Sequence, residues 1–253
     1  INLNSGYANF EYALDGISFV YLIVIPMLTM RVISEERRQK TDQLLYSLPL
    51  SMSQVVLGKY LALLVVIVVP FAVLCLYPPI LAQFGAVPML SAYGSILAFF
   101  LLAAALAAVG TFISSVTESQ AAAAGLCFAT VLVLYFSNTL SSWISTTAFA
   151  SLMALFIVVA ILGVVVYLFT KSPIAALGTG FVGEIILLAV YKLNPTLLEG
   201  LFPAIVNKLS VFSRFYTFID GVFDITAIIY FFSVTAVFLF LAVQSLEKRR
   251  WVG

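Results

Sequence analysis

Between Lys59 and Glu118 this chain carries no charged residue, and that stretch belongs to a longer pattern of seven apolar segments. A bilayer core of about 30 Å is crossed by about 20 apolar residues in a helix, because each backbone polar group must find its partner within the segment. The segments fall at about 17–30, 54–77, 93–116, 120–136, 148–170, 173–191 and 225–245. The first is short and holds Pro26, so it borrows Asp15, Gly16 and Arg31–Ile33 to cross, with the charged groups reaching for the headgroups. The chain is 63% hydrophobic and 9% charged, far too apolar for a soluble fold of 253 residues to cover. The expected fold is an all-α polytopic membrane protein in which residues 1–253 form a single transmembrane domain.

The basic residues orient it. If the loop of residues 31–53 is cytoplasmic and the segments alternate, Arg31, Arg37, Arg38, Lys40, Lys59, Lys171, Lys248, Arg249 and Arg250 lie inside or at the inner boundary. Only Lys192, Lys208 and Arg214 lie outside, as the excess of cytoplasmic Lys and Arg in membrane proteins requires. This threading puts the C-terminus in the cytoplasm and residues 1–15 outside. Residue 1 is isoleucine, and a start on the outer face needs something to carry it there. One further span ahead of residue 1 is therefore expected, making eight; the intact mass of the expressed protein checks it.

Several function classes drop out. The Gly58–Lys59 pair lacks the upstream glycine of a phosphate-cradling loop and is followed by Tyr60, so it is no nucleotide site. Gly178, Gly180 and Gly183 spell G-x-G-x-x-G, but inside an apolar segment, where small residues serve close helix packing and not dinucleotide binding. With no histidine, no paired catalytic carboxylates and no metal cluster, no enzyme chemistry, metal or cofactor is expected in this chain. Cys75 and Cys127, in different segments, read as small apolar residues, and a net charge of +1 suggests no nucleic-acid partner.

The loop of residues 31–53 carries the most readable chemistry. Thr41 suits a helix N-cap ahead of Leu44, Leu45 and Leu48, and Pro49 ends that short helix. Ser51 or Ser53 caps the following span. The leucines either touch lipid at the interface or fill a groove in a cytoplasmic partner.

The run Glu35, Glu36, Thr41, Leu44, Leu45, Ser47, Pro49, Ser51, Val56, Gly58, Lys59 resembles the signature of type-two ABC exporter permeases, closest to those of gliding motility and nitrous-oxide maturation. Two positions depart from that pattern: Lys40 stands where glycine is usual, and Gln43 where glutamate is usual. A second match, Ser213, Arg214, Phe215, Phe218, Gly221 and Asp224, precedes the last span, and Leu246–Trp251 follows it. Residues 137–191 supply two spans beyond the six usual there.

The resemblance implies a permease subunit in a prokaryotic plasma membrane, exporting or extruding a hydrophobic or amphipathic substrate. It implies a second permease subunit, identical or homologous, and two cytoplasmic ABC ATPase subunits that hold ATP and Mg. It assigns ATPase coupling to Glu35, Glu36, Arg37, Thr41, Gln43, Leu44, Leu45, Leu48 and Pro49.

Residues 194–224 are too polar to span. Leu198, Leu201, Phe202, Ile205, Leu209, Phe212 and Phe215 recur at helical spacing between polar residues, predicting one amphipathic helix on the outer interface. It is either a connector resting on the membrane or, as the resemblance implies, a cap on the outer end of the transport path involving Arg214, Phe215, Phe218, Gly221 and Asp224. Glu184, near the middle of the sixth segment, should face protein or a wet cavity, since a charge at that depth is costly, and is the candidate path residue.

Two other functions fit part of the pattern. A gradient-driven carrier would use Glu184 as its coupling acid and show repeated halves with matching broken helices, of which the sequence gives no convincing sign. A membrane anchor for a cytoplasmic partner would use the Thr41–Leu48 helix, but would leave the small-residue faces 103–110 and 121–125 without a purpose.

Overall fold

A computed structural model describes residues 10–41, 50–143, 145–170 and 173–252, and the fold is all-helical across them. In chain order the helices are α1 (Glu11–Ser18), α2 (Tyr21–Thr29), α3 (Ser34–Arg38), α4 (Met52–Leu74), α5 (Tyr77–Leu81), α6 (Met89–Val116) and α7 (Gln120–Trp143). Then follow α8 (Ala148–Thr170), α9 (Pro173–Leu193), a 3-10 turn at Pro195–Leu198, α10 (Leu201–Leu209), α11 (Val211–Ile219) and α12 (Ile225–Val252). Four helices among the described residues are long and apolar enough to cross a membrane, five if α1 and α2 count as one bent span. The fifth and sixth stretches read from the sequence, at 148–170 and 173–191, are also helical, as α8 and α9.

The first span, read from the sequence as one short segment holding Pro26, is bent. Its halves meet at 58°, and the bend sits at Phe19–Val20, not at Pro26, which lies inside α2. Gly16 and Ser18 precede the break, and the Ser18 hydroxyl donates to the Asp15 carbonyl at 2.7 Å, the kind of local backbone bond that bends helices.

The chain packs as two compact units, Ile1–Tyr135 with Val211–Gly253, and Phe136–Ser210. The first is built around α6. Of its apolar window 78% is buried, against 22% for α4 and for α12, so α6 is the central post and the other spans keep a lipid-facing side. It packs against α12, α11, α2, α4 and α1. The sequence explains this position, because residues 103–110, Ala-Ala-Ala-Leu-Ala-Ala-Val-Gly, are all buried and small side chains let helices approach closely. At Gly110 a Cβ atom would lie 2.7 Å from Thr29 Cβ of α2. The second small-residue face expected, 121–125, does not behave this way: Ala123 is buried, but Ala121, Ala122 and Gly125 are exposed.

Aromatic rings fill the space beside α6. Phe99 stacks on Tyr21 at 4.5 Å and meets Phe215 at 5.4 Å and Phe71 at 5.6 Å, joining α2, α4, α6 and α11. The buried Tyr21 and Tyr60 hydroxyls donate to the Phe99 and Ala104 carbonyls, each at 3.0 Å, so neither polar tip is stranded. Cys127 is buried and Cys75 half-buried; both are free thiols.

In the second unit α8 and α9 pair closely. Of the three glycines in the G-x-G-x-x-G run only Gly183 serves packing: its Cβ would sit 2.8 Å from Val159 Cγ1, while Gly178 and Gly180 face open space. The Gly200 amide donates to the Thr146 carbonyl at 2.8 Å, and the Ser137 hydroxyl to Ser210 at 2.9 Å, tying the 3-10 turn and the end of α10 to this unit.

Residues 194–224 do not form one amphipathic helix. The 3-10 turn, α10 and α11 are separated at Glu199–Gly200 and at Ser210, whose backbone is extended. The apolar stripe divides accordingly: Phe212, Phe215 and Phe218 are buried in the first unit, Leu198 in the second, and Leu201, Ile205 and Leu209 are exposed.

Candidate functional site

Two clusters gather the residues singled out in the sequence, at opposite ends of α6. At its C-terminal end the short helix α3 is held from three directions. The Glu36 carboxylate meets Lys59 Nζ of α4 at 2.5 Å, and the same ammonium donates to the Val32 carbonyl at 2.7 Å. The buried Arg37 guanidinium donates to the Thr117 carbonyl at 3.5 Å, just past α6. The Ser114 hydroxyl accepts from the amides of Ile33 and Ser34, each at 3.1 Å, satisfying donors that the start of a helix leaves free. Glu35 lies on the exposed side and accepts from the Gln39 amide at 3.1 Å.

The exit from α3 explains one departure from the resemblance pattern. The Lys40 amide donates to the Arg37 carbonyl and the Thr41 amide to the Glu36 carbonyl, the paired bonds of a helix stop that turns through a left-handed residue. That residue is Lys40, with φ +56°, the position where the pattern has glycine. Glycine enters this region freely, whereas a side chain costs about 1–2 kcal/mol. Lys40→Gly should therefore raise the thermal midpoint in detergent by a few degrees, a shift that differential scanning fluorimetry reads. Thr41 closes α3, its hydroxyl donating to the Glu36 carbonyl at 3.3 Å, and the helix it is expected to start lies outside the described residues.

Gln43, Leu44, Leu45, Leu48 and Pro49 lie outside the described residues. Beyond them Ser51 caps α4 as expected: its hydroxyl accepts from the Gln54 amide at 3.3 Å, and Gln54 Oε1 accepts from the Ser51 amide at 3.1 Å. The segment 42–49 is thus bounded by a pinned helix stop and a pinned helix start. The sequence signal for the Glu36–Lys59 pair was present, since both belong to the one signature, but nothing in their 23-residue separation announced the contact.

At the other end of α6 the outer residues do come together. Gly221, with φ +79°, is the left-handed stop of α11: its amide donates to Phe218 and that of Val222 to Thr217. The Ser95 hydroxyl of α6 donates to the Phe218 carbonyl at 3.0 Å, Phe218 meets Phe223 edge-on at 5.6 Å, and Phe215 is fully buried against Phe99. The Arg214 guanidinium lies over the Tyr230 ring, 5.7 Å from its centroid. Asp224 caps α12, accepting from the Thr226 amide at 2.8 Å and hydroxyl at 2.6 Å. The Thr226 hydroxyl, the backbone amides and the nearby Arg214 charge hold the Asp224 carboxyl below its ordinary value. A depressed carboxyl stabilises the fold above its unfolded-state pKa, and that contribution fades as pH falls through the folded-state pKa. Gly221→Val, which forces a β-branched side chain into the left-handed region, should cost at least about 1–2 kcal/mol and lower the thermal midpoint, while Val222→Ala next to it should not.

Glu184 is half-buried in α9 and forms no hydrogen bond or ion pair among the described residues. It belongs to the second compact unit, and neither cluster includes it.

The family profile of the ABC-2 family transporter proteins matches residues 7–177, about two thirds of the chain. The chain belongs to the ABC-2 transporter family. The match takes in the loop of residues 31–53 and much of the stretch 137–191 that the signature left as extra spans, and it stops short of the corner around Gly221. No curated protein and no solved structure matches the chain. Membership makes it a multi-pass membrane transport protein of a family that works with ABC ATPases.

Proposed function

We propose that this chain is the permease subunit of an ATP-driven exporter or extruder of a hydrophobic or amphipathic substrate, related to the gliding-motility and nitrous-oxide-maturation permeases. Two such subunits, identical or homologous, pair with two separate ATPase chains that bind ATP and Mg. Residues 1–253 act as one permease domain with seven spans, the loop of residues 31–53 and the C-terminus facing the cytoplasm of a prokaryotic cell. The Thr41–Leu48 segment presents Leu44, Leu45 and Leu48 to a groove on the ATPase, and the corner from Arg214 to Asp224 closes the outer end of the path.

The observation that supports this reading is the fastening of α3. A segment that transmits force needs rigid attachment at both ends, and here Glu36, Arg37 and Ser114 tie one end to α4 and α6 while the Ser51–Gln54 box fixes the other. Motion imposed at residues 42–49 would thus pass into α6, the helix that most of its unit packs on.

The test is mild-detergent purification of the tagged chain from its native membrane, with mass spectrometry of what stays bound. A stoichiometric ATPase with a phosphate-binding loop is the expected result. A self-contained oligomer with no ATPase overturns the proposal and favours a gradient-driven carrier that uses Glu184.

A further inference from the structure

The outer half of the first span holds two acids that nothing among the described residues neutralises. Glu11 and Asp15 of α1 lie four residues apart and Ser18 follows three later, so they share one stripe of the helix. Glu11 is only 4% exposed, and both its carboxylate oxygens lack a hydrogen-bond partner. A helix start favours an acid, but this carboxylate bonds none of the free amides there. The half-buried Asp15 carboxylate also forms no hydrogen bond or ion pair among the described residues. In the first unit the one basic residue on the outer side is Arg214, which lies over Tyr230 and acts on Asp224.

Aromatic rings gather at the Asp15 end of this stripe, all of them within the first unit. Helix α1 packs against α11, where Tyr216 feels the Asp15 charge and brings its hydroxyl within reach of Ser18 and Tyr135. Tyr135 meets Phe19 edge-on at 6.0 Å and Phe212 at 5.1 Å. Buried carboxylates are costly unless a cation or donors meet them, and aromatic faces attract organic cations.

We infer that this stripe is a binding site for an organic cation, an ammonium or similar group carried on an apolar body. Glu11 and Asp15 meet its charge, while Tyr216, Tyr135 and Phe19 meet its apolar part. A hard metal ion fits poorly, because it asks for six or more oxygen ligands and the stripe offers two carboxylates among rings. The stripe lies at the outer boundary of the first span, where water gives way to hydrocarbon, a position that suits an amphipathic molecule. Resting on the exporter reading, this names the substrate as a cationic amphipath; the binding site itself requires no ATPase.

Binding of tritiated tetraphenylphosphonium to the purified full-length chain in mild detergent, followed by scintillation proximity, reads the site directly. Saturable binding of one cation per chain is expected, about tenfold weaker in Glu11→Gln with Asp15→Asn, the scale of two partly exposed charge pairs. The cation should also raise the thermal midpoint of the unaltered chain and not that of the double variant. Asp220→Asn, which removes an exposed acid near the end of α11, should bind as the unaltered chain does. No saturable binding, equal affinity in the double variant, or an equal loss in Asp220→Asn overturns the inference. Displacement of the probe by micromolar calcium overturns it in favour of a metal site. Displacement by phosphatidylethanolamine and not by phosphatidylglycerol overturns the substrate assignment, giving the cation to a lipid headgroup. If the double variant fails to fold, Tyr216→Leu keeps both acids and should weaken binding severalfold, and unchanged binding there is equally decisive against the site. A bound ATPase without cation binding would leave the exporter reading standing and remove this one; cation binding without an ATPase would do the reverse.

Discussion

Gly110→Leu is expected to abolish the folded protein, leaving no monodisperse species after extraction in mild detergent. The first atom of any side chain at this position would stand 2.7 Å from Thr29 Cβ, inside van der Waals contact. Thr29 is poorly able to yield. It is fully buried, its Cβ is attached directly to the α2 backbone, and its hydroxyl is committed to the Ile25 carbonyl at 2.8 Å and touches Cys127 Sγ at 3.5 Å. Overpacking of a dense core costs about 1–3 kcal/mol for modest insertions. Leucine here would drive α2 away from α6, at the crossing that carries Met30, Ser34 and the start of α3. Gly110→Ala should show the smaller version, a thermal midpoint lowered by several degrees. Gly125→Leu is the control, because a Cβ at Gly125 meets nothing within 4 Å, and its midpoint should stay close to that of the parent.

Leu44→Arg combined with Leu45→Arg should leave the chain inserted and extractable but eliminate substrate-stimulated ATP hydrolysis in reconstituted vesicles with its ATPase. Leucines seated in a partner's groove act as interface anchors, each contributing about 2 kcal/mol or more, and a buried guanidinium without a partner adds a further cost. Loss of both anchors predicts at least about a thousandfold weaker docking. Full activity in the double variant would remove the Thr41–Leu48 segment from the coupling role. Lys59→Met provides the companion measurement. It keeps the leucines while freeing the partly exposed Glu36 carboxylate, so docking should persist while the yield of transport per ATP falls.

How much of this was legible before the structure follows from the range of each interaction. Every apolar stretch from 54–77 to 225–245 is helical, because a helix satisfies its backbone within the segment and so announces itself in consecutive residues. The caps were equally local: Ser51 and Gln54 are three residues apart. The bend at Phe19–Val20 was not, since Pro26 offered the louder signal and the quieter Gly16 and Ser18 pair took the role. The outer segment was misjudged for a related reason. Its apolar spacing is continuous through Ser210, but Phe212 and Phe215 are drawn into the core around Phe99 while Leu201 and Ile205 are not, and a spacing rule cannot see which core claims a face.

Among the candidate site residues, the signature identified Glu36 and Lys59, and the structure supplied their contact. It also gave the departure at Lys40 a physical meaning, as a left-handed backbone position that glycine would occupy without strain. The sequence by itself determined that the chain is a bundle of membrane helices and which stretches form them, because apolar length and backbone satisfaction are properties of a segment alone. Tertiary structure decided that α6 is the central helix, that Gly110 and Gly183 are close-contact glycines while Gly125, Gly178 and Gly180 are not, and that α3 is fastened to α4 and α6. Those outcomes depend on which faces meet between different helices, from 23 residues apart for Glu36 and Lys59 to 81 for Thr29 and Gly110, and helical periodicity is the same whether a small residue faces a neighbour or lipid.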